Sequence, residues 1–231
     1  IHKMVATHPH EDHIGGLIAV MDNFKVEHVY DSGYPHTTQV FEQYLAKVDQ
    51  IDADFDLARR GDKISLDPAL DVTVIHPVSL GSSINNNSVS LKISYGNVTF
   101  ITTGDAEVHA ERSMVNAGMN LNAQILKVGH HGSSTSSTPA FLDAVRPEMA
   151  VIMSGSGNSY DHPTDQTLTA LASRGIDVYR TDLQGDIVVK TDGATYTVNR
   201  PTDPAMVAKT TPAPAPQPTA PTASPPDSQP E

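Results

Sequence analysis

Along the first 200 positions, short apolar runs switch between a period of two and one near 3.6, and the switches mark out elements. HKMVAT, residues 2–7, reads as a buried strand that runs into a polar, histidine-rich stretch. GGLIAVMDNF then has helical spacing at Leu17, Ile18, Met21 and Phe24. A strand is expected over 26–32, then a helix over 39–48 with Val40, Tyr44, Leu45 and Val48 on one face. Alternation predicts strands over 71–75, 89–95 and 98–102, the last two joined by a hairpin turn at Gly96-Asn97. Helices over 106–117, 138–145 and 164–173 interleave with strands over 125–129 and 149–154. Strands over 177–180, 186–191 and 195–199 complete the pattern, the last two meeting around Asp192-Gly193. Interleaved strands and helices with added hairpins give an α/β class with mixed sheets.

The pattern stops at Pro201. Beyond it prolines recur every second or third position in TTPAPAPQPTAPTASPPDSQPE, with almost no large apolar side chain to offset ordering entropy. Residues 201–231 therefore read as a disordered, partly polyproline II tail, and 1–200 as a single domain. With 15 Lys and Arg against 27 Asp and Glu, a net charge of −12 argues against a broad basic face that coats DNA or an anionic membrane. It leaves room for an anionic substrate held mainly at a metal. No apolar run approaches the roughly 18 residues of a membrane span. Without cysteine, a disulfide framework, a thiolate zinc site, an iron–sulfur cluster and a cysteine nucleophile are all excluded. Any metal must sit on imidazole and carboxylate.

The 11 histidines cluster. His8, His10 and His13 crowd into THPHEDHIGG with Asp12, between a buried strand and a helix. In extended chain, His8 and His10 project to the same side, while Asp12 and His13 lie where the chain enters the helix and can face the opposite side of a shared cavity. That supplies two imidazoles for one metal and a carboxylate plus an imidazole for a second. Glu11, between them, reads as solvent-facing.

HPHEDH has the His-x-His-x-Asp-His pattern of the metallo-β-lactamase superfamily, and further matches follow in order: TGD at 103–105, LKVGHHGS at 126–133 and a late HPT at 162–164. With NNNSVSL at 85–91, the set is similar to the hydrolase domain of the ComEC/Rec2 competence proteins and their stand-alone relatives. The resemblance covers roughly residues 1–200. It implies an αββα four-layer sandwich with mixed sheets that binds one or two metals between the sheet edges. Such domains place strands before the first histidine loop, so the chain, which starts at Ile1, is expected to be N-terminally truncated. The resemblance makes Asp105 the ligand that bridges both metals, where position alone would allow a helix cap. It makes His131 the later ligand, with His130 behind it or facing substrate. Where many members carry another histidine this chain has Asn85, Asn86, Asn87 and Ser88, so the first metal keeps His8, His10, Asp105 and at best a weak amide or water. His76 reads as structural. His162, after the glycine-rich Gly155-Ser156-Gly157-Asn158, is expected at the active site.

These ligands suit two divalent ions, Zn or Mn, with Fe also compatible. Bridged by Asp105, such ions hold a hydroxide that attacks a phosphodiester, with His130 or His162 protonating the departing alkoxide. The expected activity is a phosphodiesterase or nuclease, with single-stranded DNA one candidate substrate. A small-substrate hydrolase, such as a phosphorylcholine esterase or a lactamase-like enzyme, suits the acidic surface better. The third reading is a noncatalytic binding domain. For DNA, only Lys92, Lys127, Arg146 and Arg180 offer a basic track. The absence of cysteine, the tail and the resemblance fit an extracytoplasmic or secreted domain, with a cytoplasmic one as the alternative.

Overall fold

The computed structural model describes residues 1–200, so the tail expected over 201–231 lies outside the described residues. The first sheet is small and wholly parallel, with β1 (Met4–Ala6), β2 (His28–Asp31) and β3 (Asp54–Leu57) side by side in that order. Parallel neighbours need crossovers, and α1 (Glu11–Asn23) and α2 (Gln39–Gln50) supply them. Alternation puts Met4, Ala6 and Val29 on one face, where they pack against Ile14, Met21, Phe41, Tyr44 and Val48 of these helices.

The second sheet has six strands in chain order: β4 (Leu70–His76), β5 (Ser90–Tyr95), β6 (Val98–Thr102), β7 (Ile125–Lys127), β8 (Met149–Ile152) and β9 (Asp177–Arg180). Its first three strands pair antiparallel and the rest parallel. The hairpin between β5 and β6 turns at Gly96, whose φ is +55°, and a Cβ there would sit 2.3 Å from the Gly193 carbonyl oxygen. Helices α3 (Val108–Asn116), α4 (Pro139–Val145) and α5 (Asp165–Ala172) cover one face against Ile101, Leu126, Val128, Ala150 and Ile152. On the other face Val72, Val74 and Leu91 meet Val5 and Tyr30 of the first sheet. The layers thus run helix, sheet, sheet, helix, the expected four-layer sandwich. Where the small sheet does not reach, the hairpin of β10 (Val189–Thr191) and β11 (Tyr196–Val198) covers Val98, Ile125, Met149 and Tyr179.

Three local expectations change. The first helix starts at Glu11 rather than at Gly15, so Glu11, Asp12 and His13 are its first turn and not a loop. Strand β3 is absent from the sequence reading because it is an exposed edge whose apolar residues, Phe55 and Leu57, face solvent. A short helix, α6 (Thr181–Gln184), occupies a stretch that carried no pattern. What matters for function is polarity: the loops after β1, β6, β7 and β8 all leave carboxyl ends of strands, where open α/β sheets place their ligands.

Candidate metal centre

The N-termini of α2, α4 and α5 are each capped by a threonine hydroxyl, from Thr38, Thr138 and Thr164. The cap position of α1 is His10, which makes no such bond. Its ring turns instead to His8, whose Nε2 lies 3.0 Å from His10 Nδ1. Glu11 and Asp12 in the first turn suit the positive end of the helix dipole. His8 is almost fully buried, and burial, reinforced by the neighbouring His13, lowers its pKa to about 3. The ring is therefore neutral at any ordinary pH, the form that binds metal.

Asp105 enters from the other sheet. Gly104, at φ +56°, lets the end of β6 run against Thr7 and Ser88: a Cβ there would lie 2.9 Å from the Ser88 Cβ and 3.1 Å from the Thr7 Cβ. This contact joins the two sheets under the histidine loop. The Ser88 hydroxyl accepts the Asp105 amide at 3.0 Å and lies 3.2 Å from His8 Nδ1, so one side chain positions both residues. Around the Asp105 carboxylate gather His13 Nε2 at 3.2 Å, His131 Nε2 at 3.6 Å, His8 Nε2 at 3.7 Å and His130 Nε2 at 3.8 Å. Its Oδ1 is buried and has no hydrogen-bond partner.

After β7 the chain turns through His130 and His131 with φ of +46° and +53°, a left-handed pair that non-glycine residues rarely adopt. The strain separates the two rings. His131 Nδ1 lies 2.7 Å from the Met153 carbonyl oxygen, which can only accept, so Nδ1 carries a hydrogen and Nε2 is the atom turned to the cluster. That Nε2 faces Asp12 at 3.3 Å and His13 Nε2 at 3.2 Å. The hydrogen bond to His131 lowers the Asp12 pKa to about 2, and the same bond raises that of His131. His130 turns its Nδ1 to Thr135 Oγ1 at 3.1 Å and Glu107 Oε1 at 3.5 Å.

Two groups with ligand atoms within 4.8 Å result, His8-His13-Asp105 and Asp12-His13-His131. Imidazole nitrogens and carboxylate oxygens crowd together here, one buried Asp105 oxygen without a hydrogen-bond partner, an arrangement that a cation would satisfy. Imidazole nitrogen and carboxylate oxygen are the donor set for borderline divalent ions, and the residues fit such ions.

Asp12, Asp105 and His131 of this cluster, with His10 and His130, line a cavity of about 870 Å³ together with Met153, Asn158, Tyr160 and His162. The His162 ring lies 5.6 Å from that of His130, and burial, then the charges of His130 and His131, lower its pKa. His76 is elsewhere, with Nε2 on the Asn86 carbonyl at 2.8 Å. The asparagines are scaffold: Asn86 Oδ1 accepts the amides of Glu107 and Ala110 at the start of α3, and Asn87 clasps Gly81 and Ser83. Sequence reasoning missed Glu107, Thr135 and Tyr160. Only proximity to TGD hinted at the first, and nothing at the other two.

The sequence model of the metallo-beta-lactamase superfamily matches residues 1–155. Over 211 residues the chain is 31% identical to ComE operon protein 3 of Bacillus subtilis (strain 168), covering 90% of this chain and 27% of that protein. Over 185 residues it is 34% identical to Competence protein ComA of Neisseria gonorrhoeae, covering 79% of this chain and 24% of that one. The chain thus spans about a quarter of the length of these curated relatives. Among solved structures, CmlA, a diiron beta-hydroxylase from Streptomyces venezuelae, aligns with a TM-score of 0.51 at 12% identity, covering 78% of this chain and 43% of that one, a likeness of fold alone. With its four layers, its histidine and aspartate loops at the strand ends and these matches, the chain belongs to the metallo-β-lactamase superfamily, as a ComEC/Rec2-like domain.

Proposed function

We propose that the groove is a metal-dependent phosphodiesterase. The observation that carries this reading is the convergence of His8, His13, His131, Asp12 and the half-unpartnered Asp105, of which Asp12, Asp105 and His131 open onto one cavity. Divalent ions held by these residues and His10 would bring a water's pKa toward neutrality and polarise a phosphoryl oxygen. Around them the chain divides the remaining work. Glu107 and Thr135 hold His130 Nδ1, so its Nε2 faces the cavity, and a carboxylate behind an imidazole stabilises the imidazolium that gives its proton to a departing alkoxide. His162, whose pKa burial and its histidine neighbours lower, lines the same cavity and is placed to orient the leaving group. Asp12, ionised throughout, anchors His131.

The match to proteins named for competence supports a nucleic-acid phosphodiester as the substrate class. A small-substrate hydrolase is the second reading, favoured by the absence of Lys and Arg from the cavity lining among the described residues. Purified protein loaded with Mn²⁺ or Zn²⁺ is expected to hydrolyse bis-p-nitrophenyl phosphate. His8→Ala is expected to abolish turnover, and a cephalosporin reporter to be left intact. A wild type that is inert at every metal loading would return the chain to the binding-domain reading.

A further inference from the structure

Resting on the phosphodiesterase reading, we propose that the site selects its substrate through one nucleobase stacked on Tyr160, and so acts on strand ends and short nucleotides rather than along a polymer. Two independent observations lead there: where an aromatic ring is held, and where cations are not.

Tyr160 is 78% exposed, more than any other large apolar side chain among the described residues. An aromatic ring so displayed normally collapses onto a surface, since burying it is favourable. Here the backbone holds it out. Asn158 stitches the loop: its amide donates to the carbonyls of Gly155 at 2.9 Å and His162 at 2.6 Å, and its Oδ1 accepts the amides of Tyr160 at 3.2 Å and His162 at 3.0 Å. One face of the Tyr160 ring is backed by His162, with centroids 5.9 Å apart and planes 28° from parallel. No second ring contact to Tyr160 exists among the described residues, so the opposite face is available. Tyr160, His162, His130 and Asp105 line the same cavity, in successive contacts of 5.9, 5.6 and 3.8 Å, so the ring and the carboxylate share one space. The cavity of about 870 Å³ is of small-ligand size.

A protein that follows a strand lines its track with Lys and Arg, and each phosphate contact steepens the salt dependence. None of the cations the sequence offered for such a track lines this cavity. Lys92 is spent on the Asn120 carbonyl, Arg180 is held by Asp182, and Lys127 is tucked against the Val128 carbonyl. Phosphates beyond the scissile one meet no Lys or Arg in the cavity lining among the described residues. Stacking on an aromatic ring is sequence-tolerant, so the base is held without being read.

Two esters that share a reacting phosphate and a leaving group test this: thymidine 5′-(p-nitrophenyl phosphate) and methyl p-nitrophenyl phosphate. The metal-loaded wild type is expected to favour the nucleoside ester in kcat/KM. Tyr160→Ala is expected to cut that ratio roughly tenfold or more through KM, and Tyr160→Phe to restore it. Using the ratio cancels any loosening of His162, which would affect both esters alike. A ratio unmoved by Tyr160→Ala overturns the inference while leaving the phosphodiesterase intact. On an oligothymidylate, KM is expected to change less than about threefold between about 50 and about 200 mM salt, whereas about tenfold or more would mark several phosphate contacts and overturn it. If neither ester turns over, the functional reading fails, and calorimetry still decides the stack. Tighter binding of thymidine 5′-phosphate than of methyl phosphate, lost in Tyr160→Ala, supports it, and equal affinities sink it.

Discussion

Asp105 and Glu111 are buried alike, at 2% and 1% exposure, close in sequence on either side of the start of α3, and they do opposite things. Both Glu111 oxygens are taken by backbone amides, Ser137 at 2.6 Å and Thr138 at 2.8 Å. It ties α3 to the start of α4, and burial pushes its pKa up. Asp105 feels the same burial, but the hydrogen bond and charge of His13 and the charge of His131 outweigh it and hold the carboxyl well below the usual range. One of its oxygens has no partner. Burial therefore does not separate scaffold from site. What separates them is whether the fold itself satisfies the buried charge or leaves that to a cation.

The sharpest way to break the comparison is to neutralise each carboxylate. Asp105→Ala is expected to reduce bound metal to background by mass spectrometry, to abolish turnover, and to remove the rise in Tm that metal gives the wild type by binding only the folded chain. Retained metal with full activity would make Asp105 a structural residue like Glu111. Glu111→Ala should instead leave metal content unchanged and cost about 2–4 kcal/mol in urea denaturation, because two buried amides lose their acceptor. A smaller effect is expected from Ser88→Ala, which removes the hydroxyl shared by His8 and the Asp105 amide. Metal affinity should fall about 10–100-fold with urea stability nearly intact.

The smallest test concerns pH. Because the folded pKa of Glu111 lies above its unfolded value, the fold holds a proton that the unfolded chain has already released. Its contribution to stability is full below the ordinary glutamate range and is lost as pH rises through the raised value. Glu111→Gln should flatten that part of the stability profile in denaturant titrations across mildly acidic pH. A wild-type profile that rises there would reverse the assignment.

Much of this was legible in the sequence, and the limits are specific. The alternation in VSLKISY and VTFIT and the helical spacing after Thr38 are local periods, so the strands and helices they predict stand within a few residues. Strand β3 was not legible, because an exposed edge buries nothing and leaves no apolar signature. THPHEDH and TGD announced their chemistry through residue type at strand ends. Yet Asn85 to Asn87, read as a possible weak ligand set, became scaffold through bonds to Gly81, Ser83, Glu107 and Ala110 that no spacing encodes.

By itself, then, the sequence determined which chemistries were open: no cysteine, histidine and aspartate grouped at strand ends, and hence a candidate metal site limited to imidazole and carboxylate. Only the tertiary structure decided how these residues are used. His131 turns its Nε2 to Asp12 because a carbonyl 22 residues further on takes its Nδ1, and His130 turns to Glu107 because a left-handed pair splits the two rings. Asp105 reaches His8 because Gly104 lets two sheets touch, and Tyr160 stands clear because Asn158 ties its loop. Residue type and local period act along the chain, whereas the direction of a lone pair depends on partners that only folding brings within reach.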